Sequence, residues 1–379
     1  MADLQHELHT MPEVGELPEP FPPIAGTPDA AGRAAPAGPE AGPLDRARAL
    51  LAAHPVVDGH NALPRALRRL PFHDLELGES AVGTDLPRLR EGHVGALFWS
   101  LRPPSGPAGR PAAATLEQID LARSVIRAYP QGLRPALGAG QIIDARNWGR
   151  VAVVLGPAPA AALEDSLGVL RVLHSLGLRV LTLAGTSWAS EAGLTRFGEE
   201  VVREMNRLGV LADLAGASDA TITRTLALSR APSLCTRSAA RALRPHPDNL
   251  PDDLLAALGA AGGLCMVPLA AEQTGPTLAD VADHLDHVRE VAGPDCVGLS
   301  GTHDSGAAHP QDLADVAGYP HLIAELLHRG WPESDIARLT WGNAQRVLRA
   351  ADAAARTAQH RREPSTATIT DLDGRGPSS

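Results

Sequence analysis

The sequence predicts a single (β/α)₈ barrel of the TIM type, flanked by a disordered N-terminal arm over residues 1–44 and a disordered tail over 362–379. Three observations lead there. Eight short apolar runs recur along residues 45–361, helical patterns separate them, and no Gly-rich phosphate loop follows the first run. A doubly wound open sheet, the runner-up, would want that loop, whereas eight strands each followed by a helix close naturally into a barrel.

The runs are Val56–His60, Val94–Leu101, Val151–Gly156, Leu178–Ala184, Val210–Ala215, Pro232–Arg237, Gly263–Leu269 and Cys296–Gly301. They are nearly continuous in apolar residues, as expected for parallel strands buried on both faces. Between them, helices are expected at Leu116–Tyr129, Ser166–Leu176, Phe197–Leu208, Asp219–Ser229, Asp252–Ala260, Thr277–Val291 and Tyr319–Arg329. Ser218 reads as an N-cap, and Gly177, Gly209, Gly293 and Gly330 read as helix stops.

The flanks have a different chemistry. Residues 1–44 are rich in Pro, Gly, Ala and Glu, and hold seven acids against Arg33. Such a segment buries too little apolar surface to offset its ordering entropy, and the tail has the same character. The formal net charge of −10 argues against a nucleic-acid partner, which needs a basic face. All 34 basic residues are Arg. Cys235, Cys265 and Cys296 show no CxxC spacing and lie in apolar runs, so buried, reduced thiols are expected. No apolar stretch of about 18 residues and no signal-peptide core is evident, so the expected location is the cytoplasm, with no membrane partner.

Barrel chemistry sits at the C-terminal ends of the strands, so eight stretches can be searched for it. They offer Asp58 and His60 after the first strand, Asp213 after the fifth, Arg237 after the sixth, and His303 and Asp304 after the eighth. These six are the candidate pocket residues. The third and fourth strands end in Gly, Pro, Ala and Thr. A hydrolytic zinc site needs about three ligands from His, Cys, Asp or Glu, and a permanent cation such as Arg237 is a poor neighbour for it.

Longer strings carry a family resemblance. VVDGHN at 56–61, DLPRLR at 85–90, GLTRFGEEVVREMNRLG at 193–209, NLPDD at 249–253, LADVADHLDHVREVAG at 278–293 and YPHLIAELLHRGW at 319–331 resemble the membrane (renal) dipeptidases, a family of zinc peptidases. The resemblance covers roughly Ala47 to Arg349. It implies a binuclear zinc barrel in which a metal-bound hydroxide attacks the amide carbonyl of a dipeptide. Carried over residue by residue, that site is depleted. His60 remains as a vestigial ligand, but the partner Asp of the family's His-x-Asp is Ala62. The bridging Glu falls at Ala158, a substrate-polarising His at Gly185, and two metal-binding His residues at Gly216 and Arg237. The catalytic Asp falls at Thr302, with Asp304 the survivor of that pair, and an Arg that grips the substrate carboxylate falls near Asp248.

The expectation is therefore a divergent member of that family and a pseudoenzyme: no cofactor, no metal ligands beyond the vestigial His60, no catalytic residues, and a role as a binding or assembly partner. A homodimer, a heterodimer with an active paralogue, and a small anionic ligand are the expected partners. Two alternatives stand beside this. One is an active metallo-dipeptidase with a site rebuilt from His60, His303 and Asp304; the other is a metal-free enzyme of a specialised pathway. Arg237 is expected to replace the metals' charge by pairing with Asp58, Asp213 or Asp304, since unpaired buried carboxylates are costly; the alternative is that it grips an anionic ligand. His284 and His287, one turn apart, are expected on a solvated helix face.

Overall fold

A computed structural model describes residues 42–70, 72–103 and 109–374. Eight parallel strands form the barrel wall: β1 (Val56–Asn61), β2 (Val94–Trp99), β3 (Val151–Leu155), β4 (Val180–Thr182), β5 (Leu211–Asp213), β6 (Leu234–Cys235), β7 (Leu264–Pro268) and β8 (Val297–Ser300). Each overlaps one of the apolar runs. Around the wall the order is β3-β2-β1-β8-β7-β6-β5-β4, with β1 paired to β8 through Asp58 and Leu299.

The seam between β3 and β4 is closed differently. Leu155 pairs with Leu178 in a single bridge, supported by a hydrogen bond from Arg179 N to Leu155 O of 2.9 Å. Below it a short strand, Leu133–Pro135, pairs along Val151–Val153; above it Ala158–Pro159 pairs with Leu181–Thr182. Neither short strand is among the expected runs, because two or three residues carry no periodicity.

The strands are buried on both faces, so alternate residues feed two cores. Val57, Phe98, Val154, Val180, Leu211, Leu234, Leu264 and Met266 form one apolar cluster, joined by Trp341, Val347 and Leu348 of the C-terminal segment. The opposite set, including Leu97, Trp99, Val153, Leu181, Cys235, Val267 and Leu299, packs with the surrounding helices. The three free cysteines are buried in this outer layer or beside it, and burial pushes each thiol pKa up. They are inert apolar fillers.

The helices lie close to their expected places: Pro111–Ala128, Leu167–Ser175, Arg196–Leu208, Asp219–Leu228, Asp252–Ala260, Leu278–Ala292 and Tyr319–His328. Ser218 caps its helix by accepting from Thr221 N at 3.2 Å. The helix Pro43–Ala53, the helix Ala139–Asn147 and the long helix Asn343–Arg361 complete the outer ring.

Two expectations are corrected here. Residues 362–374, assigned to a disordered tail, follow a fixed path instead. Arg171 donates to Ser365 O at 2.9 Å, Arg362 pairs with Glu200, and a short helix, Ile369–Asp373, places Asp373 as acceptor for Thr195 Oγ1 at 2.6 Å and Phe197 N at 3.1 Å. The tail is ordered because it completes the N-terminus of the helix Arg196–Leu208. His284 is not on a solvated face but buried, with Nδ1 accepting from Ala240 N at 3.1 Å, while His287 pairs with Asp252 at 2.8 Å. Residues 1–41 of the expected arm lie outside the described residues.

Candidate functional site

A cavity of about 360 Å³ opens at the C-terminal ends of the strands. β1 contributes His60, the loop after β2 contributes Ser100 and Arg102, and the loop after β6 contributes Arg237. Asp248, on the loop that follows β6, closes one side, and the β4 and β5 ends supply small residues such as Gly185 and Gly216. Neither β7 nor β8 lines it. Of the six candidate residues, the structure therefore brings His60 and Arg237 to the cavity and sends the other four elsewhere.

The three expected rim carboxylates each accept internal hydrogen bonds, although Asp58 Oδ2 and Asp304 Oδ2 are buried without a hydrogen-bond partner among the described residues. Asp58 Oδ1 accepts from His60 N at 3.0 Å and Gly301 N at 2.6 Å. A Cβ on Gly301 would stand 2.5 Å from Asp58 Oδ2 and 2.7 Å from the Tyr319 hydroxyl, so only glycine lets β8 approach this closely. Burial raises the Asp58 carboxyl to about 7, against the lowering by those backbone N–H groups. Asp213 ties three strand ends together. It accepts from Thr182 Oγ1 at 2.6 Å, Thr236 N at 2.8 Å, Thr236 Oγ1 at 3.0 Å and Ala215 N at 3.2 Å. Burial raises its pKa, and these donors hold it down. Asp304, at a left-handed φ of 62°, accepts from Gly83 N at 2.7 Å; burial raises its pKa too.

His303 is buried and its ring stacks on His309 with centroids 4.6 Å apart. Burial, then His309, keeps its pKa well below the usual imidazole range. His309 Nε2 is in turn hydrogen-bonded to Gly301 O at 2.9 Å. The pair braces the loop after β8 and does not face the cavity.

Arg237 corrects a further expectation. Its Nη1 lies 3.5 Å from Asp248 Oδ2, and that is its ion pair, in place of Asp58, Asp213 or Asp304. One oxygen of Asp58 and one of Asp304 accept backbone N–H groups while the other oxygen of each is buried without such a partner, and only Asp213 has both oxygens hydrogen-bonded. Asp248 itself fills space beside Gly216: at φ 72°, a Cβ there would stand 3.2 Å from Asp248 Oδ1. His60 is 7% exposed, and burial, then Arg237 and Arg102, lower its pKa to about 3, so the ring is neutral at physiological pH.

Sequence reasoning missed Arg102 and Asp248 as lining residues. Arg102 lies three residues past the end of β2, so reading two residues beyond Ser100 would have reached it. Asp248 sits in a loop well past its strand, and only the family resemblance, which puts a substrate-gripping Arg near it, pointed there.

The chemistry of these donors does not fit a catalytic zinc. Among the described residues, no three His, Cys, Asp or Glu side chains group closely enough to hold a metal ion. Zinc needs about three such ligands plus an open position. Here the cavity presents two guanidinium groups, one carboxylate and one imidazole.

A (β/α)₈ barrel with a polar cavity at its strand ends defines the class. The chain belongs to the membrane dipeptidase family (Peptidase family M19), whose sequence model matches residues 44–362. It is 41% identical over 329 residues to Dipeptidase 3 of Mus musculus, covering 80% of this chain and 66% of that protein. With Dipeptidase 3 of Homo sapiens it shares 39% over 328 residues, covering 80% and 66%. The chain thus spans about two thirds of the length of these curated relatives.

Among solved structures, it resembles the dipeptidase AC, a family M19 metallo peptidase, with a TM-score of 0.72 and 28% identity over 78% of this chain and 98% of that one. A metallo peptidase of Rhodobacter sphaeroides, liganded with a phosphinate mimic of the dipeptide L-Ala-D-Ala, gives 0.71 and 27%, over 78% and 99%. Among the described residues no helix is long and apolar enough to cross a membrane.

Proposed function

We propose that this chain is a catalytically degenerate member of the dipeptidase family, a barrel that binds or assembles and does not cleave dipeptides by metal chemistry. The observation that carries this reading is the cavity itself. Where metal-assisted hydrolysis would need converging ligands, Arg237 and Asp248 form an ion pair beside the lone imidazole of His60. A guanidinium at that place repels Zn²⁺, and no carboxylate bridges two cations.

The active alternative requires His60, His303 and Asp304 to converge on one ion. His303 is stacked away on His309 and Asp304 is bound to Gly83 N, so the arrangement argues against a rebuilt site. Relatives of this chain are named dipeptidases, which keeps that alternative worth testing. The expected partner is a second copy of this chain or an active relative.

The decisive measurement is metal content of the purified full chain, taken together with dipeptide turnover. We expect no stoichiometric zinc and no hydrolysis above the blank. About two zinc ions per chain with turnover, as a binuclear site would hold, overturns the reading.

A further inference from the structure

We infer that the cavity at the strand ends is an oxyanion site that takes a small molecule through its carboxylate or phosphate group. The inference rests on the metal-free reading above and names the ligand class of the same site.

Charge comes first. Arg102 and Arg237 both line the cavity, and Asp248 is the carboxylate in its lining. With His60 neutral, the lining carries a net charge of +1. Asp58, Asp213 and Asp304 do not line the cavity, although Asp213 lies close enough to Arg237 to feel its charge.

Donor capacity comes second. Each guanidinium presents five N–H donors in a planar fork. The ion pair of Arg237 to Asp248, at 3.5 Å, is long and uses one nitrogen, and Arg102 has no ion pair among the described residues. Two forks with most donors free suit the lone pairs of an oxyanion.

The third observation is independent of charge. His60 is more than nine-tenths buried, lines the cavity, and its Nδ1 has no hydrogen-bond partner. A buried polar nitrogen without a partner calls for one. The Nδ1 atom is itself sealed from solvent, so a ligand meets the ring at the edge that lines the cavity. Ser100, buried at the same wall, adds a hydroxyl.

Shape limits the size. The wall at Gly185 is open, since a Cβ there would meet nothing within 4 Å. At about 360 Å³ the cavity is at the small end of ligand sites, which suits a compact molecule.

The test is isothermal titration of the full chain with inorganic phosphate and, separately, with malonate, metal content being measured on the same sample. Binding of either anion is expected, and which one binds assigns the group as phosphate or carboxylate. Arg102→Ala should weaken binding about tenfold or more, as loss of a charge-assisted hydrogen bond does. Asp248→Asn should tighten it severalfold, because a carboxylate competing for Arg237 is removed. A purely structural ion pair would give the opposite or no response to Asp248→Asn. Arg237→Ala should also weaken binding. If it fails to fold, the exposed Arg102 and the near-isosteric Asp248→Asn still decide. A metal-free chain that binds neither anion, or an Arg102→Ala protein that binds like its parent, overturns the inference alone. Stoichiometric zinc with dipeptide turnover overturns instead the reading on which it rests.

Discussion

Asp213 holds strand ends together at the barrel rim. Four donors from three strand ends converge on its two oxygens, and it is 1% exposed. Removing it leaves buried donors without an acceptor, so Asp213→Ala should cost about 3 kcal/mol or more of stability, read by urea denaturation. A loss below about 1 kcal/mol would contradict that role. His284 gives a pH signature. Burial, then His287, lowers its pKa to about 4 from 6.5, and its Nδ1 accepts from Ala240 N. Because the unfolded ring takes up a proton first, the stability it contributes is complete above about pH 6.5. That stability is lost as pH falls toward 4. His284→Gln should therefore flatten the decline in melting temperature between pH 6.5 and 4; an unchanged slope would show that His284 does not set it.

At the scale of elements, the ordered C-terminal segment is the instructive case. The helix Ile369–Asp373 is too short to be stable by itself, and it is held by a Thr368–Asp371 capping box and by Asp373 at the start of the helix Arg196–Leu208. Asp373→Ala should release this segment, with tryptic cleavage after Arg361 or Arg362 appearing in mass spectra while the barrel stays intact. Protection equal to the parent would mean that the Arg362–Glu200 and Arg171–Ser365 contacts suffice. The longer elements needed no such tertiary help to be recognised. Seven amphipathic helices and eight apolar runs repeat the local patterns that packing then uses.

For the whole molecule, linkage offers a simple readout. A ligand that binds the folded chain at 100 times its Kd adds about 2.7 kcal/mol of stability. Melting temperature should stay put on adding Zn²⁺ or a chelator, and should rise with phosphate or malonate. A zinc-dependent rise that a chelator reverses would restore the metal reading.

By itself the sequence determined the barrel, because eight strands buried on both faces must read as apolar runs and their covering helices as amphipathic ones. It also shows that Ala62, Ala158, Gly185 and Gly216 carry no ligating side-chain atom. Only the tertiary structure decided where the polar residues of the rim turn. Asp58, Asp213 and Asp304 turned inward to backbone donors, while Arg237 turned to Asp248 and shares the cavity with Arg102. The physical reason is that hydrogen-bond satisfaction depends on which loops meet over the barrel mouth. Those meetings join residues far apart in the chain, as Asp58 joins Gly301, and no local pattern records them.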